Sequence, residues 1–176
     1  MTLEDFNRLS DSEMKLELKQ CCGSSQWVHQ MMQWTPFSSW EVLALRAKET
    51  WDALEPKDWL EAFAAHPRIG GIESSHSQST TSVGSAGSHH LWASQEQQGM
   101  QKSSKEVLSE FALKNREYEK RFGHIFLVCA TGKTAEEMMA LLNERLDNLP
   151  QEELKIAVQE QAKIIEIRLR KLFKLG

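Results

Sequence analysis

A histidine stands where a helix must end, in the run Ala64-Ala65-His66-Pro67-Arg68-Ile69-Gly70-Gly71. Proline at the next position pushes residue 66 out of the α region and cannot itself continue a helix, and the two glycines permit a tight reversal. The imidazole is therefore mounted on a stiff turn. Two readings fit the local residues equally well. The ring either sits on the negative end of a helix dipole or serves as a general acid–base, since its ordinary pKa lies nearest neutrality. Further on, Ser94-Gln95-Glu96-Gln97 followed by Gly99 offers a carboxylate, although such a polar run can equally open a helix. A third feature lies near the C-terminal end. At about 100° per residue, Leu154, Val158, Ile165, Leu169 and Leu172 share one stripe, and Arg168 falls inside it. A guanidinium on an apolar face needs a partner. A structural carboxylate would satisfy it, and so would a ligand carboxylate gripped by both arms of the fork.

Other chemistry is weakly written. Cys129 lies in the apolar run Ile125-Phe126-Leu127-Val128-Cys129-Ala130, where a thiol reads as packing. Three cysteines, two of them adjacent (Cys21 and Cys22), make a poor disulfide framework and fit a reducing compartment. His76, His89 and His90 match no standard metal-ligand spacing, so no metal site is expected.

The elements that must position these residues read as helices. Ser10-x-x-Glu13, Ser38-x-x-Glu41 and Thr134-x-x-Glu137 match the capping-box pattern. The first predicts a helix burying Met14 and Leu18. The second predicts one burying Val42, Leu45, Trp51 and Leu54, and the third one burying Met138, Leu141, Leu142 and Leu146. Pro56 suits the first turn of a short helix with Trp59, Leu60, Phe63 and Ala64 inside. Longer helices are expected from about 104 to 121 and from about 151 to 172. Only residues 125–129 resemble a strand, and one strand makes no sheet, so the fold class is all-α. Residues 73–90, rich in Ser, Thr and Gly, have almost nothing to bury and read as one long mobile or disordered loop.

The 176 residues suit one multi-helix domain over 1–176. A net charge of −4 with interspersed bases argues against nucleic acid or an anionic membrane as partner. No apolar run approaches the ~20 residues a bilayer span requires. The acidic, polar start Met1-Thr2-Leu3-Glu4-Asp5 lacks the pattern of a secretory signal, which leads to the expectation of a cytoplasmic protein.

The isolated candidates fall into one pattern. His66-Pro67-Arg68-Ile69-Gly70, Ser94-Gln95-Glu96-Gln97 with Gly99, and Tyr118-Glu119-Lys120-Arg121-Phe122-Gly123 leading into Phe126-Leu127-Val128-Cys129-Ala130 come in order. Glu144-Arg145-Leu146-x-Asn148 and a terminal helix with Ile167-Arg168-Leu169 complete it. From about Phe6 to Leu172 the chain resembles the 2-oxo-4-hydroxy-4-carboxy-5-ureidoimidazoline (OHCU) decarboxylases of urate degradation. The resemblance implies an all-helical homodimer that works without cofactor or metal and converts the ureidoimidazoline to (S)-allantoin and CO₂. It implies that His66 is the catalytic histidine and general acid, that Glu96 orients substrate or His66, and that Arg168 anchors negative charge. Pro67, Ser94, Gln95, Gln97 and the backbone of Phe126, Leu127, Val128, Cys129 and Ala130 correspond to substrate-contacting positions. Two departures are visible. Relatives can carry an extra residue between the serine and the glutamate, and His124-Ile125 stands where relatives often have an aromatic and a proline. Two rival readings remain: a hydrolase using His66 and Glu96 on a ureido compound, and a helical interaction module that docks a partner through its Ser/Gly-rich loop.

Overall fold

A computed structural model describes residues 1–69 and 104–175. Every regular element among them is a helix, as the sequence predicts: α1 (Leu3–Asn7), α2 (Asp11–Cys21), α3 (Ser25–Gln33), α4 (Trp40–Asp52), α5 (Pro56–Ala64), α6 (Lys105–Phe122), α7 (Ala135–Leu146) and α8 (Pro150–Leu172). Residues 125–130 adopt no regular structure. The Ser/Gly-rich segment 73–90, with its three histidines, lies outside the described residues. None of these helices is long and apolar enough to cross a membrane.

Capping explains most boundaries. Ser10 and Glu13 form a reciprocal capping box at α2, and Thr134 and Glu137 form another at α7. Thr2 and Asp5 form a third at α1, a five-residue helix with no counterpart in the sequence reading. The cap of α4 is Ser39, whose hydroxyl accepts from the Val42 N–H, and not the expected Ser38. Trp51, and Leu54 just beyond the helix, are buried as expected, but the start of the buried face differs. Leu43, Ala47, Thr50 and Trp51 are buried, while Val42 and Leu45 are exposed. On α5, Pro56 occupies the first turn as expected, but Ala62 and Phe63 carry the burial and Leu60 and Ala64 face solvent. Ser24 caps α3, another helix absent from the sequence reading.

The described residues form two compact units, Met1–Ala65 with Val158–Gly176, and His66–Ala157. Helix α8 is continuous through the boundary. In the first unit three indole N–H groups are each given a carbonyl: Trp27 donates to Ala47 at 3.0 Å, Trp51 to Val158 at 3.0 Å and Trp59 to Trp51 at 3.1 Å. Glu61 of α5 accepts from the backbone N–H and hydroxyl of Ser25, tying α5 to the start of α3. The core of the second unit joins Ile69, Phe111, Tyr118, Phe126, Val128, Ala130, Ala135, Met138, Leu142 and Leu146. Helix α6 ends on Gly123 at φ +75°, a left-handed position that glycine occupies without strain.

One close approach constrains the first unit at the end of α5. Gly23, between α2 and α3, packs so tightly on the end of α5 that a Cβ there would lie 2.4 Å from the Ala65 Cβ. Gly23→Ala is expected to destabilise the protein by about 1–3 kcal/mol, the usual range for overpacking. Urea unfolding measures it, and an unchanged midpoint would show that the loop yields without cost.

Candidate active site

His66 follows the αR cap of α5 directly and is half-buried. The turn that carries it is bolted to α6 at two points. Arg68 donates through Nε and Nη2 to the two carboxylate oxygens of Glu119 at 2.6 and 2.8 Å, a fork-on-carboxylate pair. Asn115 Nδ2 donates to the Ile69 carbonyl at 2.9 Å, and the Ile69 side chain enters the core beside Phe126, Val128 and Ala130. The expected stiff turn is thus held by its own arginine and isoleucine as well as by Pro67. Through Ile69 it shares a core with the 126–130 segment.

That segment is controlled by a buried polar cluster. Glu153, on the first turn of α8, is fully buried. Its Oε1 accepts from Arg145 Nε at 2.8 Å, from Arg145 Nη2 at 2.5 Å and from the Tyr118 hydroxyl; its Oε2 accepts from Asn148 Nδ2 at 2.8 Å. The third arm of Arg145, Nη1, donates to the Leu127 carbonyl at 2.8 Å, and the guanidinium lies 4.7 Å from the Phe126 ring centroid. Burial pushes the Tyr118 phenol upward, so it remains a donor to Glu153. Arg121 Nη2 adds a bond to the Asn148 carbonyl at 3.2 Å. Among the described residues of this unit, the motifs around His66, Tyr118, Phe126 and Glu144 are each bonded to another.

His124 belongs to the same neighbourhood. Its ring packs edge-on against Tyr118, and Nδ1–H donates to the Ile125 carbonyl at 3.0 Å. Burial holds its pKa below the usual 6.5, reinforced by Arg145 and opposed by the Ile125 bond and Glu153. The ring is therefore neutral at physiological pH.

The first unit holds Arg168, buried to 1% exposure as the apolar stripe predicts. Its Nη1 donates to the Gln20 carbonyl at 3.4 Å, a long bond. Cys22 lies beside it, and burial pushes that thiol up to about 12, which removes it as a nucleophile. The stripe itself differs from expectation in its first half. Leu154 and Val158 are only half-buried, and Glu153, Ala157 and Gln161 take the inward positions. Gln161, seven residues before Arg168 and on the same helix face, is fully buried, and neither polar atom of its carboxamide has a hydrogen-bond partner among the described residues. Glu153 and Gln161 are the polar residues that a search for apolar periodicity passes over. His66, Pro67 and residues 126–130 fall in one unit and Arg168 in the other. Ser94, Gln95, Glu96 and Gln97 lie outside the described residues. Among the described residues no group of three or more His, Cys, Asp or Glu could hold a metal ion.

Comparison with known proteins gives these positions a family. Residues 7–170 match the profile of the family described as OHCU decarboxylase. The chain is 40% identical over 158 residues to the uric acid degradation bifunctional protein TTL of Arabidopsis thaliana, covering 89% of this chain and 46% of that one. It therefore spans less than half the length of that relative. It is 26% identical over 174 residues to the 2-oxo-4-hydroxy-4-carboxy-5-ureidoimidazoline decarboxylase of Haloferax volcanii, covering 98% and 96% of the two chains. A crystal structure of OHCU decarboxylase in the presence of (S)-allantoin superposes with a TM-score of 0.73 at 39% identity, over 90% of this chain and 98% of that one.

Two measurements test the buried cluster. Arg145→Met strands the Glu153 carboxylate and is expected to cost about 3–5 kcal/mol in urea unfolding, the range for breaking a buried pair from one side; a loss below ~1 kcal/mol would refute that accounting. His124 supplies a pH signature. Its folded pKa is depressed, so below 6.5 the unfolded chain binds the proton first, and stability falls as pH drops through the folded value. His124→Phe removes this linkage, so the stability advantage of wild type over the variant should shrink between pH 7.5 and 5. A constant difference would show that the ring does not titrate differently in the two states.

Proposed function

Because this chain belongs to the OHCU decarboxylase family, we propose that it decarboxylates 2-oxo-4-hydroxy-4-carboxy-5-ureidoimidazoline to (S)-allantoin and CO₂ in urate degradation. The observation that carries the reading is the mount of His66: a half-buried imidazole on a turn fixed by the Arg68–Glu119 fork and the Asn115–Ile69 bond. A proton donor that must serve one face of a ring needs such a fixed position.

Breaking the bond to the carboxylate carbon leaves its electron pair in the ring as an enolate, and CO₂ departs. The heterocycle is its own electron sink, so the reading requires no cofactor. The protein has to orient the leaving carboxylate, stabilise the developing negative charge and deliver a proton to carbon on one face. In this scheme His66 is the general acid. Glu96 accepts hydrogen bonds from the hydroxyl and ureido N–H groups or orients the imidazole. Arg168 anchors negative charge, a role suited to a buried guanidinium. Pro67, Ser94, Gln95, Gln97 and the backbone of residues 126–130 line the substrate. A homodimer is part of the same reading, and the adjacent cysteines fit a cytoplasmic location.

The test generates the unstable substrate from urate in situ and follows the appearance of (S)-allantoin and CO₂. His66→Ala is expected to lose at least ~10²-fold in rate, the lower end for a missing acid–base group. Equal rates for wild type and variant would remove His66 from the chemistry. Ammonia or a ring-opened acid as product would replace the decarboxylase reading with a hydrolase.

A further inference from the structure

Two side chains close one edge of residues 126–130. Arg145 Nη1 donates to the Leu127 carbonyl at 2.8 Å, and Lys133 Nζ donates to the Cys129 carbonyl at 2.8 Å. The side chains of the segment alternate. Phe126, Val128 and Ala130 belong to the apolar core of their unit, whereas Leu127 and Cys129, also buried, do not. A period of two is the mark of extended chain. In extended backbone the N–H and C=O of one residue point to the same edge, and those of its neighbours to the opposite edge. The edge bearing the carbonyls of 127 and 129 is thus occupied by protein donors, and the polar groups of Val128 face the other way. Among the described residues no backbone–backbone hydrogen bond engages Phe126 or Val128.

We infer that Arg145 and Lys133 are positioning residues: by holding the Leu127 and Cys129 carbonyls they present the N–H and C=O of Val128, a donor and an acceptor side by side, to the N–H and C=O groups of the heterocycle. The inference rests on the proposed reading in which residues 126–130 contact substrate, and it assigns the contact to one edge and to two side chains outside the segment. Both are built for the task. Arg145 is immobilised by Glu153, which leaves Nη1 aimed at Leu127. Lys133 arrives through a turn closed by its own N–H on the Ala130 carbonyl at 3.0 Å, with Gly132 at φ +79°. That left-handed residue lets the lysine fold back on the segment it has just left. A lost carbonyl contact would let the backbone rotate, and a donor–acceptor pair misplaced by a fraction of an ångström loses much of its value in the transition state.

The experiment combines kinetics with ¹H–¹⁵N NMR titration by (S)-allantoin for wild type, Lys133→Met, Lys133→Arg and Arg145→Lys. Lys133 is only half-buried, so Lys133→Met should fold with a Tm close to wild type. It is expected to lose about tenfold in kcat/KM, the scale of one charge-assisted hydrogen bond, mostly through KM. Lys133→Arg restores a donor and should recover most of that loss, which a merely structural lysine would not require. In wild type (S)-allantoin should shift the Val128 amide strongly, and in Lys133→Met that shift should weaken. Arg145→Lys, which keeps a charge beside Glu153, should reduce kcat/KM in the same way. Wild-type kinetics in Lys133→Met and Arg145→Lys, or dominant shifts at Leu127 and Cys129, would overturn the inference while leaving the decarboxylase reading intact. Saturable binding of (S)-allantoin with no shift anywhere in 126–130 would instead overturn the assignment of this segment to the substrate.

Discussion

The carboxylate of Glu153 is the constraint on which the second unit depends. A fully buried carboxylate without partners would be untenable, because transfer from water costs far more than any one contact returns. Here its two oxygens receive donors from Tyr118 on α6, Arg145 on α7 and Asn148 in the α7–α8 connection. Three parts of the chain must therefore be in register at once, or the charge is stranded. Such a cluster adds little net stability over an apolar core of the same volume. Its effect is to make other arrangements expensive. Arg145 then carries the constraint outward, since Nε and Nη2 are committed to Glu153 while Nη1 donates to the Leu127 carbonyl.

This explains why motifs far apart in the chain behave as one object. The His66 turn is tied to α6 through Glu119 and Asn115, and α6 to Glu153 through Tyr118. Glu153 is tied to α7 through Arg145, and Arg145 to the 126–130 segment. A path of side-chain bonds thus runs from the imidazole-bearing turn to the backbone opposite it in the core. The proposed reaction, which draws on no cofactor, depends on donors and acceptors fixed before substrate arrives, because reorganisation at the moment of reaction raises the barrier. The helix geometry of α6 supplies the spacing: Tyr118 and Glu119 lie three and four residues after Asn115 and so share its face.

Much of this was legible in the residues. Capping boxes at Ser10 and Thr134, the proline at the start of α5 and the glycine ending α6 are local signals that no tertiary contact overrules. Arg168 was legible because a charge inside an apolar stripe violates the pattern around it. Glu153 was not, because an acidic residue in the first turn of a helix already has an ordinary explanation in the dipole. Gln161 was hidden for a related reason: an uncharged amide breaks a stripe less visibly than arginine does. On α4 the reading was right at Trp51 and at Leu54 beyond the helix, and wrong at the start, because Leu43 and Ala47, eight and four residues before Trp51, share its face while Val42 lies opposite. Helix α1 was missed because five residues offer too little periodicity to read, and α3 because, at the same nine-residue length as α5, it lacks the proline that marks the start of α5.

The environment of each protonable group also narrows which of them can move a proton. Cys22 is disqualified by burial, which holds its thiol protonated to about 12. Tyr118 is committed to Glu153, and burial raises its phenol further. His124 has the right side chain in the wrong place. Burial keeps it neutral, and its Nδ1–H is already committed to the Ile125 carbonyl. It shares Tyr118 and Arg145 with the buried cluster, which makes it part of the packing that shapes the 126–130 segment. His66 differs in kind: it is half-buried, and the turn that carries it is held by the Arg68–Glu119 pair and the Asn115 bond to the Ile69 carbonyl. The general acid of the proposed reaction must meet substrate at a fixed point, and the bonds that hold this turn suit that task. The proline after His66 serves the same end, because its ring fixes its own φ.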